Sequence, residues 1–251
     1  MARVDYTGQA DEYRRSRTLP PDVMERWRVA IADAALRPEL VLDLGAGPGG
    51  FLDPLGEWFA APVIALEPSL AMRAEARTAG LTGRHPYAAA WAEALPLARS
   101  SVDLAWLSTV WHQFDDPQAV AHELRRVLRV DGRVLVRGFF ADVAVTGFHA
   151  HFPGHERVAA TFPSTNEVTS CFVEAGFEVE RIVDVDEPWR FDVIDWTVRV
   201  RALRHTDSGL RPFADDEIEQ GIAIVTDLHG ASPQPVTSAG TLRLLVFRPV
   251  K

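Results

Sequence analysis

The stretch Val41-Leu42-Asp43-Leu44-Gly45-Ala46-Gly47-Pro48-Gly49-Gly50 joins a strand pattern to a helix start through closely spaced glycines. Residues 39–44 are apolar at nearly every position, which is typical of a strand buried on both faces of a parallel sheet. The glycines allow positive φ angles and a close approach of backbone to ligand, while the N–H groups that open the following helix stay unpaired. The stretch therefore predicts a turn that binds a polar ligand.

Two acidic residues distinguish the ligands that such a turn can bind. The spacing Gly45-x-Gly47-x-x-Gly50 also fits the dinucleotide fingerprint. Asp43 lies two positions before the first glycine, where a carboxylate repels a pyrophosphate and attracts an ammonium or sulfonium group. Glu67 ends the next apolar run, and an acid there can accept hydrogen bonds from both hydroxyls of a ribose. The pair favours a charged amino-acid nucleoside, and a turn that merely connects strand to helix is the alternative.

With these residues, the segment resembles the cofactor half of class I S-adenosylmethionine-dependent methyltransferases, in particular the ubiquinone-biosynthesis-like group that acts on small molecules. The resemblance implies S-adenosyl-L-methionine as the cofactor. It also implies cofactor contacts from an N-terminal segment, the glycine loop and the residues after strands two to four. The implied contacts are Tyr13, Arg17, Asp43, Gly45, Ala46, Gly47, Gly49, Glu67, Pro68, Met72, Trp91, Ala92, Glu93 and Ser108.

Alternatives stay open at several of these positions. Tyr13 and Arg17 could belong to a solvated surface helix, and Met72 could pack on the sheet instead of the adenine. Trp91 stands where the resembled family often has a small polar or acidic residue, so the hydrogen bond to the adenine amine falls to Glu93, to backbone groups or to water. The indole could also stack on the base, or it could be part of the core.

Apolar runs that alternate with helical periodicities predict an α/β fold, a Rossmann-like doubly wound sheet of seven strands. A turn is predicted at 130–132, followed by strand five at 133–140. The last strand, at 241–247, fits the antiparallel C-terminal strand of the resembled family. The expected organisation is an N-terminal helical cap at 1–38, an α/β core at 39–186, a helical lid between strands six and seven at 187–236, and a final strand at 237–251.

The acceptor site is expected in the loops after strands one and four, because ligands of open α/β sheets bind at the carboxyl ends of strands near the switch in strand order. His112 follows strand four and could remove a proton from a hydroxyl, amine or activated carbon near neutral pH. A packing role is its alternative. The resemblance and the aromatic segments around the lid give the candidate substrate contacts Tyr6, Phe139, His149, His151, Trp196, Arg201 and His205.

Three closely spaced histidines, His149, His151 and His155, invite a metal site. No carboxylate or cysteine completes an obvious ligand set beside them. Pro153-Gly154 also breaks any helix that would align His151 with His155. We therefore predict no metal.

Composition limits the class of protein and its partners. A chain of 251 residues with 47% apolar residues can form one α/β domain with additions. The formal net charge of −9 argues against a nucleic-acid partner. The single cysteine, Cys171, and the lack of an apolar run of membrane-spanning length predict a cytoplasmic protein without a membrane partner, and they give no sign of the oligomeric state.

The expected function is methyl transfer from S-adenosylmethionine to a small-molecule acceptor, which the aromatic segments predict to be apolar or aromatic, such as an intermediate of natural-product biosynthesis. Two alternatives stay open. An NAD(P)-dependent oxidoreductase would need the glycines to bind pyrophosphate, which Asp43 makes unfavourable. A protein that keeps the cofactor pocket without transferring a methyl group would have the same cofactor loop.

Overall fold

A seven-stranded mixed sheet forms the centre of the computed structural model, which describes residues 10, 14–15, 18–32, 37–230, 232 and 234–250. The strands are β1 (Val41–Leu44), β2 (Val63–Leu66), β3 (Tyr87–Ala88), β4 (Val102–Ser108), β5 (Leu128–Gly138), β6 (Phe177–Phe191) and β7 (Val236–Pro249). Their order is β3-β2-β1-β4-β5-β7-β6. The first five strands pair in parallel, and β7 pairs antiparallel with β5 and β6. The predicted doubly wound sheet with an antiparallel final strand is confirmed.

Helices cover both faces of the sheet. They are α1 (Pro21–Ala32), α2 (Leu52–Phe59), α3 (Leu70–Thr78), α4 (Pro117–Val127), α5 (His155–Ala159), α6 (Thr165–Glu174), α7 (Val193–Leu203) and α8 (Asp215–His229). Short 3-10 turns occupy Leu81–Gly83, Trp111–Gln113 and Gly147–His151. The start of α6 illustrates a local signal that the sequence carries, because Ser164 and Glu167 form a capping box. The glycine that follows α6, Gly176, has φ +86°, as a helix end requires.

The two faces of the sheet bury separate hydrophobic clusters. Alternate residues of β4 divide between them, with Leu104 and Trp106 on the side of α1, α2 and α3, and Ala105 and Leu107 on the side of α4 and α6. On the α1 side the indole of Trp27 meets that of Trp106 edge-on, with 6.3 Å between ring centroids. This strand is therefore buried on both faces, which is why its sequence is almost continuously apolar.

Two strand boundaries differ from the prediction. β5 begins at Leu128 and contains the predicted turn, because Leu128 pairs with Val102 and Arg133 with Leu104, so that the residues between them form a bulge. β6 continues past the predicted core boundary at 186 and pairs with β7 as far as Phe191. Pro188 suggests an end to the strand, but β6 is the edge strand of the sheet, where proline is tolerated.

The lid between β6 and β7 has its own apolar cluster. Rings and aliphatic side chains from α7, α8 and the segment after β5 form it, including Phe148, Phe152 and Trp196. Gly221 of α8 lies against the fully buried ring of Phe152, and a Cβ at this position would lie 2.2 Å from Phe152 Cδ1. Glycine here lets α8 pack closely against the ring.

Of the predicted N-terminal cap at 1–38, the structure describes α1, whereas 1–9, 11–13, 16–17 and 33–36 lie outside the described residues. Among the ranges that the structure describes, no helix is both long and apolar enough to cross a membrane. The proposed division into cap, core and lid stays a prediction.

Replacing Gly221 with alanine should loosen the lid. The added methyl overlaps the Phe152 ring, so Gly221→Ala should lower the free energy of unfolding by about 1–3 kcal/mol. Gly83→Ala is the control, since its methyl meets no atom of the described residues within 4 Å and should change that free energy by less than about 0.5 kcal/mol. Urea denaturation followed by circular dichroism measures both variants. Equal stability of Gly221→Ala and the wild type would contradict the packing.

Candidate functional site

The glycine loop after β1 is held against the end of β2 by backbone hydrogen bonds. The N–H groups of Gly45 and Ala46 donate to Leu66 O at 2.8 and 3.2 Å. Gly45 has φ +71°, and a Cβ on it would lie 2.5 Å from Val110 Cγ2, so only glycine fits there. Gly47 has φ +57°, but a Cβ on it would meet no described atom within 4 Å. Gly47 therefore borders open space.

Two buried acids flank this loop. Asp43 lies within β1, and Glu67 follows β2 directly. Glu67 Oε2 accepts a hydrogen bond from Gly47 N at 3.0 Å, and Oε1 accepts one from Ser69 N at 2.8 Å. The hydroxyl of Tyr87, in β3, donates to Gly47 O. The carboxylate and the phenol thus fix the loop that borders the open space.

Burial disfavours the charged forms of the acids at the loop. It raises the pKa of Asp43 to about 8, with a further contribution from the charge of Glu67. Burial also raises the pKa of Glu67, against the opposing effect of two backbone N–H groups and the Arg73 guanidinium. The pKa of Tyr87 is raised by burial and then by both carboxylates. A cationic ligand would relieve this electrostatic penalty, so the site is complementary to positive charge.

A cavity of about 300 Å³ opens beside the glycine loop. Gly45, Gly47 and Phe51 line it on the loop side. On the lid side it is lined mainly by apolar and aromatic side chains, such as Phe162 and Phe213. The cavity can therefore hold an apolar molecule next to whatever the loop binds.

A buried ion pair lies between the loop and the lid and also lines the cavity. Arg137 at the end of β5 donates from Nη2 to Glu187 Oε1 of β6, and from Nη1 to Ser108 Oγ at 2.9 Å. Trp27 Nε1 donates to Glu187 Oε1 at 2.6 Å, and its ring centroid lies 4.7 Å from the Arg137 guanidinium carbon. Burial would raise the pKa of Glu187, but the charge and hydrogen bond of Arg137, with the indole N–H, hold it below its ordinary value.

The structure brings some of the predicted cofactor residues to this cavity. Those that line it are Asp43, Gly45, Ala46, Gly47 and Ser108. Gly49 is used differently, because a Cβ on it would lie 2.6 Å from Leu81 Cδ1. Tyr6, Tyr13 and Arg17 lie outside the described residues.

The other predicted cofactor residues lie toward β3. Glu67 N donates to Ala88 O at 3.1 Å, which places the segment after β3 beside that acid. Met72 is buried with Ala10 and Ala71. The cofactor contacts predicted for this group, Glu67, Pro68, Met72, Trp91, Ala92 and Glu93, stay predictions.

The segment after β3 divides between surface and core. Trp91 is 50% exposed, so its alternative interpretation as a core residue is wrong. Its neighbour Ala92 is buried in the hydrophobic cluster on the α4 side of the sheet. The indole is therefore accessible to a ligand.

The candidate base lies behind the wall of the cavity. The ring of His112 packs edge-on against Phe162 with 5.1 Å between centroids. Phe162 lines the cavity, whereas His112 is not among the described lining residues. One aromatic ring thus separates this imidazole from the cavity, and its role as a base stays a prediction.

Three of the predicted substrate contacts, Phe139, His149 and Trp196, line the cavity. Three others, His151, Arg201 and His205, are not among the described lining residues. His151 is the last residue of its 3-10 turn. The other two histidines of this segment, His149 and His155, line the cavity. Among the described residues, no group of three His, Cys, Asp or Glu side chains could hold a metal ion.

Helical geometry explains why the lid residue Arg201 is displaced from the cavity. The residues of α7 that line the cavity are Trp196, Arg199, Val200 and Leu203, which share one helical face. Arg201 lies on another face and pairs with Glu219 in solvent, with Nη2 2.6 Å from Oε2. His205 follows the end of the helix and is exposed. Neither Arg201 nor His205 is among the described residues that line the cavity, and their substrate contacts stay predictions.

Sequence reasoning missed the Arg137–Glu187 pair as part of the site. One signal existed, since an arginine within the apolar run of β5 requires a buried partner. The partner is fifty positions later in the chain, and no local pattern connects the two.

Comparison with known proteins agrees with this geometry. Residues 42–136 match the family model described as a methyltransferase domain. The chain belongs to the class I S-adenosylmethionine-dependent methyltransferases. S-adenosyl-L-methionine is accordingly its cofactor.

Two curated relatives of this chain are malonyl-[acyl-carrier protein] O-methyltransferases. That of Laribacter hongkongensis is 30% identical over 199 residues, which cover 72% of this chain and 66% of the relative. That of Legionella pneumophila is 29% identical over 129 residues, covering 51% of this chain and 45% of the relative. The chain thus matches between about half and two thirds of the length of these relatives.

Solved structures show the same fold at low identity. The [4+2]-cyclase SpnF gives a TM-score of 0.60 at 19% identity, covering 94% of this chain and 85% of that one. Geranyl diphosphate C-methyltransferase from Streptomyces coelicolor, solved with S-adenosyl-L-homocysteine, gives 0.51 at 15% identity, covering 84% and 72%.

The raised pKa of Asp43 predicts how the stability of the unliganded protein depends on pH. Between the ordinary pKa of 3.8 and the folded value of about 8, the folded protein holds a proton that the unfolded chain releases. The contribution of protonated Asp43 to the free energy of unfolding is therefore complete at low pH, and it is lost as pH rises through 8. In Asp43→Asn this loss is removed. The stability difference between variant and wild type should therefore widen by up to about 1.4 kcal/mol per pH unit and become constant in alkaline buffer.

Urea denaturation of both proteins across this pH range measures the difference. A difference that is the same at every pH would contradict the assignment to Asp43.

Proposed function

We propose that this protein transfers a methyl group from S-adenosylmethionine to a small-molecule acceptor with an apolar or aromatic body, of the kind found in natural-product biosynthesis. The observation that carries the proposal is the pair of buried acids, Asp43 and Glu67, on either side of Gly47, which borders an open cavity. A cationic nucleoside matches the charge of this site, whereas a diphosphate does not.

The residues of the loop fit the parts of the cofactor. Asp43 is the acceptor for the ammonium group of its methionine part. Each oxygen of Glu67 accepts one backbone N–H and retains a lone pair for a ribose hydroxyl. The bound cofactor supplies an electrophilic methyl group. The chain's own contribution is to align the acceptor and to exclude water, which the closed aromatic side of the cavity favours.

The aromatic lining of the cavity supports the choice of acceptor class. Phe139, Phe162 and Trp196 line the cavity, and such surfaces stabilise flat apolar ligands. The curated relatives are named for a malonyl group on an acyl carrier protein. That substrate is the second candidate for this chain, and the similarity of sequence is what favours it.

The oxidoreductase alternative is disfavoured by the same acids that support methyl transfer. The alternative of a pocket without methyl transfer is supported by one comparison, because a protein of this fold is named as a [4+2]-cyclase. Binding of the cofactor and transfer of its methyl group must therefore be tested separately.

Cofactor binding should depend on Glu67. Calorimetric titration should show that wild-type protein binds S-adenosylhomocysteine and gives no heat with NAD(H). Glu67→Gln removes the charge under the ribose, so it should weaken binding roughly ten- to a hundredfold. Glu219→Gln is the matched control on the outer face of the lid, where the carboxylate is 52% exposed, and it should bind like the wild type. Unchanged affinity in a folded Glu67→Gln protein would contradict the assignment.

Transfer itself is tested with methyl-labelled cofactor. Aromatic and apolar candidate acceptors and malonyl-acyl carrier protein are each incubated with the wild-type protein, and products are identified by mass spectrometry. Label in a small aromatic or apolar acceptor supports the proposal, and label only in the malonyl carrier supports the second candidate. Tight cofactor binding with no labelled product from any acceptor would favour the binding alternative.

A further inference from the structure

The charges inside the cavity are balanced at the end that adjoins Ser108. Among the described residues, three charged side chains both line the cavity and are buried: Asp43, Arg137 and Glu187. Asp43 belongs to the cofactor loop. Arg137 and Glu187 neutralise each other in a direct ion pair, with side-chain exposures of 6% each. Outside the loop, the buried ionisable side chains of the lining therefore form a neutral pair, while Arg14, Arg199 and Asp207 line the cavity with partly exposed side chains.

The two oxygens of Glu187 are used unequally. Oε1 accepts hydrogen bonds from both Arg137 and Trp27. Oε2 accepts only a long bond of 3.4 Å from Trp189 Nε1 among the interactions of the described residues. A carboxylate oxygen can accept two hydrogen bonds, so Oε2 keeps strong acceptor capacity. Glu187 and Trp189 both line the cavity, which makes this oxygen the natural partner of a ligand donor.

The position of the pair ties it to the reacting end of the acceptor. Arg137 bonds Ser108 at the end of β4, and its guanidinium carbon lies 5.6 Å from the ring centroid of Phe51, directly after the glycine loop. In this sheet β4 is the neighbour of β1, so the pair lies beside the strand end that begins the cofactor loop. An acceptor seated next to the cofactor meets this pair.

We infer that Glu187, held by Arg137 and Trp27, is an acceptor-binding residue that selects substrates with an uncharged hydrogen-bond donor, a hydroxyl or an amine N–H, at the reacting end. The inference rests on the proposed function and deepens it by naming the functional group. The charge of Arg137 is already neutralised by Glu187, so the buried pair itself offers no uncompensated cation to a carboxylate. A free carboxylate, such as that of a malonyl group, is therefore disfavoured there.

The experiment uses three ring compounds of similar size: 4-fluorophenol, 4-fluoroanisole and 4-fluorobenzoate. Their binding to the wild-type protein is measured by fluorine NMR near neutral pH, with and without saturating S-adenosylhomocysteine. A hydrogen bond to a charged oxygen should make 4-fluorophenol bind about tenfold more tightly than 4-fluoroanisole. The same protein should bind 4-fluorobenzoate most weakly.

Glu187→Gln makes the test sharper because it reverses the electrostatics. The variant leaves the buried Arg137 without its counter-charge, so its affinity for 4-fluorobenzoate should rise about tenfold while the preference for the phenol is lost. Glu219→Gln, which breaks the exposed pair with Arg201, should keep the wild-type order. A wild-type protein that prefers the benzoate, or a Glu187→Gln protein that keeps the wild-type order, overturns the inference.

A second variant covers the case in which Glu187→Gln fails to fold. The double variant Arg137→Gln, Glu187→Gln removes both charges, and its thermal unfolding by circular dichroism shows whether it is folded. Loss of discrimination among the three compounds supports the inference, and retention of the wild-type order overturns it. Failure of S-adenosylhomocysteine to bind by calorimetry counts against the proposed function, whereas failure to discriminate the probes counts against Glu187 alone.

Discussion

The cost of removing ionisable groups from water governs this site. β1, which leads into the glycine loop, is buried along its whole length, and the carboxylates of Asp43 and Glu187 are both buried in low-dielectric surroundings. At Asp43 the penalty appears as a pKa of about 8. At Glu187 the same penalty is outweighed by the guanidinium of Arg137, and the pKa is lowered. Burial thus favours the protonated form of the acid at the cofactor loop, whereas Arg137 favours the charged form of Glu187.

The two sides of the cavity therefore differ in charge. The loop side has surplus acid and is completed by a cation, which agrees with the cofactor of the family. The side formed by β5 and β6 is already neutral, so it contributes direction through hydrogen bonds and adds no net charge. The antiparallel end of the sheet is what allows this arrangement, because it brings β6 round so that Glu187 pairs opposite Gly240 of β7, which lies next to β5. A purely parallel end would need another crossover to deliver that carboxylate.

The parts of the structure that follow from local chemistry were predictable. The alternation of strands and helices and the capping box at Ser164 depend on residues close together in the chain. The antiparallel last strand was expected from the resemblance to the family. The glycine loop and its acids were recognisable because a turn that binds a cation needs both glycines for its backbone geometry and acids for its charge. What could not be predicted depends on side-chain direction or on distant pairing. Val200 lines the cavity, whereas Arg201, the next residue of the helix, pairs with Glu219. The β5 bulge and the Arg137–Glu187 pair depend on contacts across the sheet between residues far apart in the chain.

The buried pair also explains why similarity to the malonyl carrier enzymes does not by itself transfer their acceptor to this chain. The family model matches residues 42–136, which include the glycine loop, and it ends just before Arg137. The acceptor side is built from β5 onward, where Glu187 and the lid residues lie. A second carboxylate bound at Arg137 would lie beside Glu187 in buried surroundings, and the repulsion between the two like charges disfavours it. A hydroxyl or amine N–H brings no second negative charge, and Glu187 Oε2, which accepts a bond of 3.4 Å from Trp189, retains the capacity to accept its hydrogen.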